Sequence, residues 1–242
     1  MRFVIPLLIG VVGVGTLCGL GQWQLQRLAW KEGILADIEQ RIAAAPQAIP
    51  AQPDPVADRF LPIRASGTIL PDEVHVLVST KQQGAGYRVI APFATNFGRR
   101  VLIDRGYIPT TSKGVDRPEV EATIVGNLHW PDERDSFTPE DDVTGNIWFA
   151  RDVAKIAQHL NTDPVLIVVS ETSEAESAAT PLPVSSAGIP NDHLGYAVTW
   201  FGLAAVWAGM TALWLWHMRR RHAPGPRWWS LCPGNHPPTQ PR

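Results

Sequence analysis

Cysteine is nearly absent from this chain: 242 residues hold two, Cys18 and Cys232. One falls in an apolar stretch near the start and the other in the tail, so neither can bridge the region between them. Cys-x-x-Cys, Cys-x-x-Cys-His and His-Glu-x-x-His are all missing, which removes the usual thiol-redox, haem-attachment and zinc signals. Ser66-Gly67 and Ser170-Glu171 form no nucleophile elbow. Gly84-Ala85-Gly86 is a lone glycine-rich turn with no helix after it, so it is no phosphate loop. His75, His129 and His159 are far apart in sequence, on different expected elements, and read as surface or structural histidines. No catalytic constellation remains. The chain is therefore expected to bind or assemble something and not to be an enzyme.

Acidic residues are absent from both ends. All 23 lie between Glu32 and Asp192, and 15 of the 21 Lys/Arg lie between Arg27 and Lys155, so the middle carries a net charge of −8 (15 − 23). Arg2, Arg219, Arg220, Arg221, Arg227 and Arg242 have no acid near them in sequence. Basic termini around an acidic middle are what the positive-inside rule expects of a protein with both ends in the cytoplasm. The middle has no basic stripe interleaved with aromatics, which argues against nucleic acid as a partner.

Charge is also missing from two long stretches. The first runs from Phe3 to about Leu20. A basic residue followed by an apolar run also describes a cleaved signal peptide, with Gly19-Leu20-Gly21 as a small-x-small site. The run is long for that, and a helical pattern continues past the site, so an uncleaved membrane helix is expected. Leu17 precedes Cys18 where a lipoprotein needs a small residue. Gly15 and Gly19, with Ala205 and Gly209 at the same spacing, are expected to let the two spans pack closely. The second stretch, Leu194 to Trp216, has no charged residue and is long enough to cross a hydrocarbon core of roughly 30 Å. Arg219-Arg220-Arg221-His222 follows, which puts that end in the cytoplasm and His193 at the outer face.

The first helix is expected to continue outward through Gln22, Trp23 and Arg27 to Lys31. Trp23, Arg27 and Trp30 share a face, either as an interfacial anchor or as a cation and indoles presented to a flat anionic ligand. A further helical run, Ile34 to Ala45, ends in the Pro-rich linker 46–55. Short runs rich in Val, Ile and aromatics follow: Ile63 to Leu70, Val74 to Ser79, Tyr87 to Thr95, Arg100 to Ile108, Thr123 to Trp130 and Val165 to Ser170. Phe149 to Leu160 reads as one short amphipathic helix. A compact β barrel or sandwich is expected. Ser79 to Gly86 and Pro109 to Glu121 read as loops, Glu171 to Pro190 as a linker, and Ala223 to Arg242 as a Pro-rich tail, with Trp228 and Trp229 suited to a membrane surface.

Histidine recurs with tryptophan in the second span. His193, Trp200, Trp207 and Trp214 are seven apart and drift by about 20° per heptad, so they stay on one stripe. For the deeper Trp residues, lipid or helix packing is the simpler reading. His193 sits at a helix N-terminus, where the macrodipole disfavours an imidazolium. A neutral imidazole there is either an interfacial anchor or an iron ligand. Asn191 or Asp192 is expected to cap the helix and orient the ring.

Four blocks, in order, resemble the Surfeit locus protein 1 family: Gly21-Gln22-Trp23-Gln24-Leu25-Gln26-Arg27-Leu28-x-Trp30-Lys31, Gly86-Tyr87-Arg88-Val89-Ile90-Ala91-Pro92-Phe93, Val101-Leu102-Ile103-Asp104-Arg105-Gly106-Tyr107-Ile108-Pro109, and Asn191 to Phe201. The third departs slightly, with Asp104 where the family commonly has Asn and Tyr107 where Trp is common. The resemblance runs from the first span to about Arg221. It implies an assembly factor for haem-copper terminal oxidases, of the cytochrome c oxidase type, that binds haem a and delivers it to oxidase subunit I. It makes His193 the leading axial ligand to the haem iron, with Tyr196, Trp200, Trp23 and Arg27 around the cofactor. Haem a synthase and membrane lipid are expected partners, and an oligomer is possible. The alternative is a scaffold that holds subunit I during assembly without binding haem.

The expected architecture is a membrane protein with two transmembrane helices, N-in and C-in, enclosing a β-rich α+β extracytoplasmic domain. Its parts are a first helix and its outward extension (1–30), the β-rich domain with linkers (31–190), a second helix (191–218) and a basic cytoplasmic tail (219–242). The expected location is a bacterial inner membrane, multi-pass, with the bulk of the chain on the periplasmic side.

Overall fold

Helix α1 (Val4–Ile42) is one unbroken helix of 39 residues, longer than either helical run read separately from the sequence. Pro46 lies just beyond its end, where a residue with no N–H and a fixed φ cannot continue a helix. The chain then runs β1 (Pro62–Ile69), β2 (Val74–Thr80), β3 (Gly84–Thr95), β4 (Arg100–Pro109), β5 (Val120–Leu128), α2 (Val153–Leu160), β6 (Leu166–Thr172) and α3 (His193–Arg220). This computed structural model describes residues 3–175 and 179–220. The tail from 221, with Trp228, Trp229 and Cys232, lies outside the described residues. The chain divides into two compact units, residues 1–32 with 191–242, and residues 33–190.

In the second unit the strands form one sheet in the order β1-β5-β6-β4-β3-β2, and β1 also pairs with β3. The order β1-β5-β6-β4-β3 thus closes on itself, and the shape is the barrel, not the sandwich. Every pairing is antiparallel except β4 with β6. Closure removes free edges, which otherwise template aggregation. β2 stands outside the ring, and its outer edge is met by Trp148, through Leu77 N to Trp148 O at 2.8 Å and Trp148 N to His75 O at 2.9 Å.

Alternation along the strands makes two cores. Ala91, Phe93, Val101, Ile103, Val165, Ile167 and Val169 point into the barrel with Ile63, Ile69, Ile124 and Leu128. Their neighbours Ile90, Leu102, Leu166 and Val168 point the other way, onto Val153, Ile156, Ala157 and Leu160 of α2. Strands covered on both faces read as continuous apolar runs, which is how β4 appears in the sequence. α2 starts at Val153, later than the sequence suggests. Asp152 caps it by accepting the Lys155 N–H at 3.1 Å, and Phe149 to Arg151 belong to the approach.

Two loop expectations are corrected. Of the segment 79–86 only residues 81–83 form a turn; the rest belongs to the ends of β2 and β3, and Gly84, at φ 78°, lets β3 begin there. The segment 171–190 is partly docked: Thr180 exchanges two backbone hydrogen bonds with Tyr107, and Ala179 is buried beside Val89 and Ile108.

Candidate functional site

Among the described residues two helices are long and apolar enough to cross a membrane, α1, which belongs to the first unit up to residue 32, and α3. A side chain added at Gly10 would run into Thr211, one at Gly13 into Trp207, and one at Gly21 into Phe201. Positions that rise on α1 therefore meet positions that fall on α3, so the helices run antiparallel. This corrects the expected packing face. Gly15, Gly19 and Gly209 have open space around them, and Ala197 and Ala204, not Ala205, are buried. The i, i+4 glycine pair marks a face of α1 that α3 does not use.

At the far end of this pair His193 meets Gln24. The half-buried imidazole places Nδ1 2.7 Å from the Gln24 side-chain oxygen Oε1. Gln24 is only 9% exposed. With the amide oxygen, which can only accept, facing the ring, this contact is made when Nδ1 carries a proton. Among the described residues Nε2 has no hydrogen-bond partner. Asn191 and Asp192 do not orient the ring as expected. The Asp192 carbonyl accepts the Tyr196 N–H at 3.2 Å, and Asn191 Oδ1 is shielded from solvent with no partner.

The other expected site residues lie on the same two helices. Tyr196 and Trp23 are more than half exposed, and Trp200 is half-buried two turns along α3. Trp207 packs at Gly13, in keeping with a packing role for the deeper tryptophans. Arg27, one turn along α1 from Gln24, lays its guanidinium 4.2 Å from the centre of the Trp30 ring. No carboxylate lies within ion-pair distance of Arg27 among the described residues.

These residues suit haem. An imidazole nitrogen without a hydrogen-bond partner can ligate iron, aromatic side chains can contact a flat macrocycle, and a cation without a carboxylate partner suits a propionate. Sequence reasoning missed Gln24. Its signal was the interruption of the face Gly21, Leu25, Leu28 by one polar residue, hidden among Gln22 and Gln26, which are exposed.

The barrel histidines have structural settings. His75 Nε2 meets Glu73 at 2.7 Å, with Tyr87 beside the ring. His159 packs on Trp148. His129 stacks on Phe60, and burial, then the charges of Arg151 and Arg59, lower its pKa to about 4. The barrel also carries a cavity of about 520 Å³ lined by Ile49, Arg64, Thr95, Phe97 and Arg99. Arg99 is already tied to Asp163 at 2.9 Å and to the Pro50 carbonyl at 2.7 Å. Among the described residues no group of three metal-ligating side chains occurs.

The sequence model of the SURF1 family matches residues 11–205, a span that takes in the barrel, Gln24 and His193. The chain belongs to the SURF1 family. It is 31% identical over 233 residues to Surfeit locus protein 1 of Xenopus tropicalis, covering 82% of this chain and 71% of that one. It is 29% identical over 215 residues to human Surfeit locus protein 1, covering 77% and 69%. A SURF1-like protein of Drosophila melanogaster is 29% identical over 212 residues, covering 77% and 69%. The family thus embraces both units, with the His193–Gln24 contact inside the matched span.

Proposed function

We propose that this SURF1-family protein is an assembly factor for a haem-copper terminal oxidase of the cytochrome c oxidase type. It binds haem a through His193 and passes it to oxidase subunit I, receiving it from haem a synthase. The observation that carries this reading is the His193–Gln24 contact, which leaves one imidazole nitrogen without a partner among the described residues, at the end of a helix pair that also carries Trp23, Arg27 and Trp30. When bound, haem supplies an iron that needs an axial donor. His193 offers that donor, Trp200, Tyr196 and Trp23 offer apolar contact, and Arg27 offers a charge for a propionate. A carrier must release its cargo, and a site with a single protein ligand suits that.

The membrane arrangement belongs to the same proposal. Both helices span a bacterial inner membrane with both ends cytoplasmic, lipid around them and the barrel in the periplasm. The antiparallel pairing and the basic ends support it. A reporter fused at residue 140 should read as outside, and one fused after Arg221 as cytoplasmic. A cytoplasmic signal at residue 140 would overturn the arrangement.

The haem-free scaffold has one observation in its favour. Phe97 and Phe137 are 92% and 89% exposed on the barrel, as aromatic contacts for a partner protein would be. The two readings separate on the spectrum of the protein purified from cells with and without haem a synthesis. The haem reading requires a haem a Soret band that disappears when synthesis is removed. Purification without haem from producing cells would favour the scaffold.

A further inference from the structure

We infer that Gln24 is a positioning residue that fixes His193 as the Nδ1–H tautomer and thereby presents Nε2 as the donor atom, an inference that rests on the haem reading above. A neutral imidazole carries one proton and can place it on either nitrogen. Left to itself, a ring half-buried at a helix end would divide between the two forms, and only one of them offers Nε2 to a ligand. The Gln24 Oε1 atom lies 2.7 Å from Nδ1 and cannot donate, so with the amide oxygen facing the ring the contact selects that one. Histidines that ligate metals typically donate their second N–H to an oxygen that holds the ring's orientation. Gln24 supplies this oxygen from the other helix, so the donor is set only when α1 and α3 are paired.

The choice of an amide has a chemical meaning. A carboxylate in this place would pull harder on the Nδ1 proton, make Nε2 a stronger donor and hold the iron more tightly. It would also put a charge on a group that is 9% exposed. A neutral amide oxygen orients the ring and adds little basicity, which fits a carrier that gives its cargo up. A role as plain helix-to-helix glue would be met equally by the amide turned over and donating to a bare Nδ1, which would leave the proton on Nε2.

The test uses the full chain in detergent or nanodiscs, with ¹⁵N-labelled histidine. His193 resonances are identified by their loss in His193→Ala. In the haem-free wild type, Nδ1 should be protonated and Nε2 not. Gln24→Leu should redistribute the proton between the two nitrogens, and Gln24→Glu should restore it to Nδ1. With haem a loaded in the host, Gln24→Leu should weaken retention by about 10-fold or more. Gln24→Glu should raise the iron–histidine stretching frequency in resonance Raman spectra. An Nε2–H tautomer in the wild type, or an unchanged tautomer in Gln24→Leu, would overturn the inference. Both results are read without haem, so they are distinct from failure of the haem reading, which would show as a wild type that carries none. Wild-type circular dichroism in Gln24→Leu, together with recovery in Gln24→Glu, separates a changed ring from a misfolded helix pair.

Discussion

Arg88 donates to Asp104 at 2.6 Å, joining β3 to β4 through a carboxylate that is wholly buried. Arg151 reaches the same oxygen at 3.2 Å, and Asp104 Oδ1 accepts the Gly106 N–H at 3.0 Å. Arg151 is held in turn by Glu133. Asp104→Ala would leave two largely buried guanidinium groups facing each other, so it should cost about 3–5 kcal/mol, the range for breaking a buried pair from one side. Asp104→Asn keeps an acceptor for Gly106 and should cost less. Denaturant unfolding of the barrel unit checks the order wild type, Asn, Ala.

The boundary of that unit is predicted to matter. Gln47 accepts from Arg64 N at 2.9 Å and donates to the Pro62 carbonyl at 3.0 Å, while Ile49 packs on the barrel core. Asn127 donates to the Ile42 carbonyl at 3.2 Å, and Ser186 bonds Glu39 at 2.5 Å. A fragment of residues 33–190 should therefore fold as a β-rich protein without bound haem. One starting at residue 55 should melt at a lower temperature. Circular dichroism with thermal scans compares them, and equal midpoints would deny the segment 33–54 a role in stability.

His129 predicts a pH dependence. Its ordinary pKa of 6.5 falls to about 4 in the folded chain, through burial first and then the nearby arginine charges. Between these values the unfolded chain takes up a proton that the folded chain refuses. The stabilising contribution is therefore complete above about pH 6.5 and is lost as the pH falls towards 4. After allowance for partial exposure, the loss is roughly 1–3 kcal/mol. His129→Phe keeps a ring against Phe60 and removes the titration, so its stability should fall less between pH 6.5 and 4.5. Parallel profiles for the two proteins would contradict this.

Much of the fold was legible in the sequence because its signals are local. Short runs rich in Val, Ile and aromatics located all six strands within a few residues, and uninterrupted apolar runs located α1 and α3. What was missed depends on partners distant in the chain. Barrel closure rests on Gly67 to Ile69 of β1 meeting Phe93 to Thr95 of β3, and no property of either segment announces the other. The packing face of α1 was misread because Gly15 and Gly19 have the spacing of a contact pair, whereas the shape of α3 selects Gly10, Gly13 and Gly21. His193 stood out as a lone imidazole at the end of an apolar helix. Gln24 did not, because its meaning comes from a residue 169 positions away.

The haem content of His193 variants tests the central claim most directly. Wild type, His193→Ala, His193→Met, Trp200→Leu and Arg27→Gln would be purified from one host that makes haem a, and haem a per protein measured for each. His193→Ala removes the donor atom and should lose haem while still inserting in the membrane. His193→Met offers a thioether and should shift the spectrum of whatever haem remains. Trp200→Leu and Arg27→Gln should lower the content modestly and leave iron ligation unchanged. Full haem content with an unaltered spectrum in His193→Ala would contradict the account.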